Sequence, residues 1–320
     1  MKRIGVLTSG GDSSGMNAAI RAIVRTAISH GVETYGIRHG FAGLIRGECA
    51  LLTSRDVGGV INRGGTFLRT SRCNEFLLPE GRAMAHASLV KYGIEGLIVI
   101  GGDGTLRGAQ CLFDEFGTAI NGVPGTIDND VPGTDYSIGF DTAINAAIDA
   151  IDRVRDTAYS HDRIFVIEVM GRHHGYIAAE AGLAAGAEIT LVPEHPYTLD
   201  DVCTALQKAQ DMGRLSCIVV VAEGAASAAV LKEQIKERMG LEVRYLVLGH
   251  MQRGGIPTAF DRALASRLGS FATERLLAGH SGELAGLQNN MPVATPIKEV
   301  LEMECKLDLE KLRLMEMMAQ

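Results

Sequence analysis

Five short segments combine glycine with acidic or basic side chains in patterns suited to phosphate chemistry. Ser9-Gly10-Gly11-Asp12-Ser13-Ser14-Gly15-Met16-Asn17 falls between a strand-like and a helix-like stretch, so backbone N–H groups and a helix start can face an anion. It is neither a GxxxxGK[ST] loop nor GxGxxG, and a tight βα turn without a ligand is the alternative reading. Ile100-Gly101-Gly102-Asp103-Gly104-Thr105 also follows an apolar run. Its glycines let backbone approach a polyphosphate while Asp103 reaches Mg²⁺ directly or through water.

Pro124-Gly125-Thr126-Ile127-Asp128-Asn129-Asp130 places two carboxylates two residues apart. One can receive the proton of an attacking hydroxyl while the other serves the metal or the substrate. A capped turn is the plainer account, because Asp and Asn favour turns. Met170-Gly171-Arg172-His173-His174-Gly175 offers Arg172 to neutralise a transferred phosphoryl group. The two histidines, read at a helix start, point about 100° apart and suit solvent better than one shared metal ion. Gly249-His250-Met251-Gln252-Arg253-Gly254-Gly255, preceded by Arg244 and followed by Asp261-Arg262, suits a sugar phosphate at a strand's carboxyl end. A surface ion pair would equally use Arg253.

The elements that must position these segments alternate along the chain. Strands are expected at 4–8, 96–100, 163–169, 189–192, 217–222 and 243–248, with helices at 16–29, 106–113, 142–157, 199–212, 229–239 and 262–278. Residues 303–320 read as one last amphipathic helix. This βα alternation predicts an α/β fold with mainly parallel, doubly wound sheets. Hydrophobic residues at 46% and charged residues at 22% fit an ordinary globular protein, with 320 residues enough for two lobes. A net charge of −7 repels a nucleic-acid backbone, so any phosphorylated ligand needs a local basic cluster. Six cysteines without CxxC spacing read as reduced thiols. No signal-peptide pattern and no long apolar run occur, which predicts a cytoplasmic protein without a membrane partner.

Taken in order, GGDSSG, GGDGT, PGTIDND, MGR and GHMQRGG resemble the bacterial ATP-dependent phosphofructokinases over nearly the whole length of the chain. The combination is more specific than its parts, since lipid and dinucleotide kinases share only a GGDGT-type loop. The resemblance implies two Rossmann-like lobes with the active site in the cleft between them. Residues 1–138 with 251–301 would form the ATP-binding lobe, and 139–250 with 302–320 the fructose 6-phosphate-binding lobe. It implies Asp128 as general base for the 1-hydroxyl, with Thr126, Asp130, Arg172 and Gly11 assisting and Asp103 serving Mg²⁺. Gly11, Phe41, Arg72, Cys73, Gly102, Asp103, Gly104, Thr105 and Gly108 fall where the family binds ATP. Thr126, Ile127, Asp128, Met170, Gly171, Arg172, Glu223, His250, Met251, Gln252 and Arg253 fall where it binds sugar phosphate. Arg163 and Arg244 would reach in from a neighbouring subunit, which implies a glycolytic homotetramer.

Pyrophosphate-dependent relatives typically carry Asp in place of Gly104 and Lys in place of Gly125, so two glycines imply ATP as donor. A kinase for another sugar phosphate, or a nucleotide-binding regulatory subunit without turnover, are the competing readings. Three departures stand out. Ser13-Ser14 replaces the family's Ala-Pro or Ser-Pro, removing a residue of fixed φ and predicting a less preorganised loop. Tyr176 stands where an acid is usual. Arg21, Arg25, Arg55, Arg155, Gly186, Glu188 and Arg214 match an effector site for ADP or phosphoenolpyruvate, but Met212 replaces a lysine and Arg55 is one place late. A lost charge-assisted bond there costs roughly 1.5–3 kcal/mol, which predicts weakened allostery.

Overall fold

The computed structural model describes residues 1–318 and divides into two compact units, Met1–Thr142 with Arg253–Cys305, and Ala143–Gln252 with the C-terminal segment from Lys306. In chain order the elements are β1 (Arg3–Thr8), α1 (Met16–Ser29), β2 (Glu33–Ile37), α2 (Gly40–Arg46), β3 (Cys49–Leu52), α3 (Pro79–Tyr92), β4 (Gly96–Gly101), α4 (Asp103–Phe116) and β5 (Ala119–Pro124). They continue with α5 (Phe140–Ser160), β6 (Ile164–Val169), α6 (Tyr176–Ala185), β7 (Ile189–Leu191), α7 (Leu199–Asp211), β8 (Cys217–Ala222), α8 (Ala228–Met239) and β9 (Val243–Val247). The last are α9 (Ala259–Leu277), β10 (Glu283–Gln288), β11 (Met291–Pro296), α10 (Ile297–Val300) and α11 (Leu309–Met318).

The first unit is a seven-stranded sheet ordered β11-β10-β5-β4-β1-β2-β3, parallel except for its β2–β3 and β10–β11 pairs. Every residue of β4 is buried, because helices cover both faces and leave no strand side for water. The two-residue side-chain period divides the strand between two cores. Ile98 and Ile100 join α1 and α9 through Ile20, Ile23, Leu264 and Leu268, while Leu97 and Val99 join α2, α3 and α4 through Leu44, Leu89 and Leu106. Successive strands run to one side from β1 and then cross to β4 on its other side, so the sheet reverses direction between β1 and β4. Loops at such a reversal splay apart at the carboxyl ends and open a crevice.

The second unit holds an all-parallel sheet ordered β7-β8-β6-β9. Val219 and Val221 of β8 pack with Val166, Leu206, Leu231 and Ile235. A capping box opens α7, with Thr198 Oγ1 accepting from Asp201 N–H and the Asp201 carboxylate accepting from Thr198 N–H.

The structure departs from expectation in four places. α2, α3, α6 and strands β2, β3, β5, β10 and β11 add to the elements read from periodicity. α3 buries Gly81, Ala85, Ser88 and Leu89, a face of small residues with no large-apolar period. α9 begins at Ala259 because the Thr258 side chain caps it, three residues before the expected start. Residues 303–308 are not helical: Asp308 Oδ1 accepts from Glu310 N–H at 3.0 Å and starts α11 there, while Ala319 and Gln320 lie outside the described residues. His173 and His174 sit in a turn before α6, with His173 exposed and His174 3.5 Å from Glu194, rather than on a helix start.

Candidate functional site

In the first unit, three glycine-bearing loops leave the carboxyl ends of the adjacent strands β1, β4 and β5. Gly125 N–H donates to Gly101 O at 3.0 Å, and Thr105 Oγ1 donates to Ser9 O at 3.1 Å, so the three loops are tied edge to edge. Arg253 joins them from the start of the unit's second segment. Its Nη1 donates to Asp12 O at 3.2 Å, and a Cβ on Gly11 would collide with the guanidinium. Glycine at position 11 thus permits this close approach, which a side chain there would end by displacing the guanidinium. Thr70 Oγ1 donates to Gly10 O and Ser71 Oγ to His39 O, each at 2.8 Å, which brings Arg72 and Cys73 beside the first loop.

Ser13 and Ser14 do not leave that loop loose. Both are buried; Ser13 Oγ donates to Ile138 O at 2.8 Å and Ser14 Oγ to Gly255 O at 2.9 Å. Two hydroxyl anchors supply the fixation that a proline ring would have given, so the expected loss of preorganisation is offset.

Asp128 is 2% exposed, and its N–H donates to Thr126 Oγ1 at 3.2 Å. The loop that carries it is held from behind. Ser137 Oγ donates to Thr126 O at 2.7 Å, and Ser137 N–H donates to Asn129 Oδ1 at 2.7 Å, with Asn129 at φ 50°. Asp130 Oδ1 is buried without a hydrogen-bond partner among the described residues. Asp103 is the first residue of α4, where the helix dipole favours an anion, and pairs with Arg107 at 2.9 Å.

No group of three or more His, Cys, Asp or Glu that could hold a metal occurs among the described residues. The Asp103 carboxylate and the buried Asp130 Oδ1, unpartnered among the described residues, are oxygen donors of the kind that fit a hard cation, which takes its other ligands from phosphate and water. Phe41 is 4% exposed and stacks on Phe76 with centroids 4.0 Å apart, against Gly108. Its ring is a floor beneath Gly108 rather than an open surface.

In the second unit, Glu223 Oε1 accepts from Gly171 N–H at 3.2 Å and Arg172 N–H at 2.8 Å, fixing a turn in which Arg172 has φ 53°. Gln252, 1% exposed, accepts from Met170 N–H at 2.8 Å, while His250 and Met251 are exposed. The structure thus brings Met170, Gly171, Arg172, Glu223 and Gln252 together. Arg163 and Arg244 lie apart from that turn and share Glu242, at 3.5 and 2.5 Å.

Arg155 donates to Ala185 O and Gly186 O at 2.7 and 2.9 Å and lies 3.6 Å from Glu188. Glu188 and Arg214 line a cavity of about 260 Å³ walled by Met315 and Met318. Arg21 and Arg25 lie one turn apart on α1, and Arg55 is exposed; all three belong to the first unit. The cavity wall from α11 is a contribution the motifs do not reveal, because α11 carries none of them.

Residues 3–276 match the family described as Phosphofructokinase. The chain is 57% identical over 321 residues to the ATP-dependent 6-phosphofructokinase 1 of Thermus thermophilus, covering all of both. Among solved structures it is similar to Pichia pastoris phosphofructokinase in the T-state, with a TM-score of 0.91 and 36% identity over 94% of this chain and 35% of that one. It also resembles a pyrophosphate-dependent phosphofructokinase of Marinobacter aquaeolei, with a TM-score of 0.87 and 25% identity over 97% and 86% of the two chains. Whole-length identity to one and shared architecture with the others have a single explanation: this chain belongs to the phosphofructokinase family.

Proposed function

We propose that this chain is an ATP-dependent 6-phosphofructokinase, transferring the γ-phosphate of ATP to the 1-hydroxyl of fructose 6-phosphate in glycolysis. The observation that carries this reading is the joining of the β1, β4 and β5 loops, the last of which carries the buried Asp128, with Arg253 hydrogen-bonded to the first. Full-length similarity to a named ATP-dependent enzyme supports it.

Asp128 takes the proton of the 1-hydroxyl as that oxygen attacks the γ-phosphorus, and the bond from phosphorus to the β–γ bridging oxygen breaks to release ADP. Thr126 and Asp130 hold the acceptor, and Arg172 with the Gly11 backbone offsets charge on the transferred group. Gly102, Gly104, Thr105 and Gly108 receive the nucleotide with Arg72 and Cys73. Asp103 would hold Mg²⁺, which when bound would supply charge screening of the phosphates. Met170, Gly171, Glu223, His250, Met251, Gln252 and Arg253 bind the sugar phosphate. We assign the first unit to ATP and the second to fructose 6-phosphate, in a cytoplasmic homotetramer in which Arg163 and Arg244 serve a neighbour. The cluster of Arg155, Gly186, Glu188 and Arg214 supports an effector site for ADP or phosphoenolpyruvate.

A coupled assay comparing MgATP with magnesium pyrophosphate, on the wild type and on Asp128→Ser, tests this. Turnover with ATP alone, reduced about 10²–10⁴-fold in kcat by the substitution, is the expected result. Nucleotide binding without turnover in the wild type would instead support the silent regulatory reading.

A further inference from the structure

Asp261 takes no part in the chemistry above, yet it is 0% exposed. Its Oδ1 accepts from Gly139 N–H at 2.8 Å, and its Oδ2 accepts from Thr142 N–H at 2.8 Å and Thr142 Oγ1 at 2.5 Å. These donors stand at the start of α5, more than a hundred residues away in sequence, where unpaired N–H groups and the helix dipole favour an anion. Thr142 Oγ1 also accepts from Thr258 N–H at 3.1 Å, and Thr258 Oγ1 donates to Asp141 at 2.6 Å while capping Asp261 N–H at 3.2 Å.

The segment that Asp261 grips is the one holding the catalytic loop. Ile138 N–H donates to Pro124 O at 3.0 Å, and the Ile138 carbonyl takes the Ser13 hydroxyl. Ser137 carries Thr126 O and Asn129 Oδ1. A Cβ on Gly139 would collide with Ser13, so the segment has no slack toward the first loop.

We propose that Asp261 is a positioning residue for phosphoryl transfer: by anchoring residues 139–142 it sets the 126–130 loop, and with it the Asp128 carboxylate, against the Ser9–Gly15 loop. The proposal rests on Asp128 being the general base. Burial pushes the Asp261 carboxyl above its ordinary range, with the hydrogen bonds opposing and nearby Asp141 adding to the rise. Taking a carboxylate out of water is costly, and an apolar residue could fill the same space. An apolar side chain cannot orient two N–H groups and a hydroxyl at once.

The test compares wild type, Asp261→Asn and Thr142→Val as full chains, measuring kcat, both KM values, the solvent deuterium isotope effect on kcat and thermal melting. An asparagine keeps the shape but turns an N–H toward the donors. The expected result is a fall in kcat of about 10–100-fold, with each KM within about 3-fold, because small misplacements of reacting groups act on the rate of transfer. The isotope effect rises as proton removal becomes limiting, and melting falls by several degrees while the chain stays folded at the assay temperature, because one buried donor loses its acceptor. Unchanged kcat in folded Asp261→Asn, or a fall that merely follows the folded fraction, overturns the proposal. Should Asp261→Asn not fold, Thr142→Val removes one bond to the carboxylate and is judged by the same criteria. A wild type without turnover removes the reading on which the proposal rests, whereas an active wild type with unaffected variants overturns the proposal alone.

Discussion

On the function proposed above, Gly104 admits ATP as donor at the scale of one residue. A Cβ there meets nothing within 4 Å, whereas a Cβ on Gly125 would press on Ile100 at 3.0 Å and Met16 at 3.2 Å. Gly104→Asp should therefore fold normally while placing a carboxylate where the proposed site would receive the nucleotide's inner phosphate. We expect ATP-dependent kcat/KM to fall at least about 100-fold with melting unchanged, as repulsion of like charges in a shielded site acts on binding and rate together; full ATP activity would refute the assignment of the donor. Glu48 shows a different kind of control. Hydrogen bonds from Arg46 and then His39 lower its carboxyl from 4.5 to about 2. The folded state therefore releases this proton more readily than the unfolded chain, so the stabilisation is complete above about pH 4.5 and is lost as pH falls toward 2. Because the His39 carbonyl takes the Ser71 hydroxyl, this pair also steadies the Arg72 segment. Glu48→Gln should flatten part of the acid limb of melting temperature against pH, and identical limbs would exclude the role. Asp103, Asp128 and Arg172 stood out as candidates from residue type and spacing alone. The pairing of Arg253 with Asp12, 241 residues apart, did not, since nothing local in either segment encodes it.

Elements with strong periods and clear flanks were legible too: α1 runs Met16–Ser29 and β8 runs Cys217–Ala222, as their apolar patterns predict. α3 and α6 were hidden because helices that bury small residues, or that are apolar on every side, show no amphipathic stripe. Strands β2 and β3 were hidden by shortness, five and four residues with polar positions among them. β2 also carries a local weakness. Thr34 is 0% exposed, and its Oγ1 has no hydrogen-bond partner among the described residues. A buried hydroxyl without a partner costs about 1–3 kcal/mol, and valine has nearly the same shape. Thr34→Val should raise the melting temperature by about 2–4 °C without changing kcat, the shift expected for roughly 1 kcal/mol in a unit of this size. A lower melting temperature would mean that the hydroxyl does have a partner.

At the scale of the whole molecule, Arg163 and Arg244 share Glu242, and the proposed function gives both to a neighbour's site. If Arg163 and Arg244 serve a neighbouring subunit, Asp128→Ser and Arg244→Ala should each have little activity alone. Assembled together they should regain turnover, because about a quarter of the sites in a random mixture combine an intact Asp128 with a neighbour's intact Arg244. No recovery in co-assembled chains would place Arg244 outside the site. The sequence by itself determined the α/β class, the order of the glycine-bearing loops, and the glycines at 104 and 125, because these follow from residue type and local period. Only the tertiary structure decided that Ser13 and Ser14 replace a proline with two long-range hydrogen bonds, that Asp261 grips the start of α5, and that Phe41 is a buried floor. Each depends on which distant segments the strand order makes neighbours, and that order is set by how the two cores pack on the sheet rather than by any short stretch of chain.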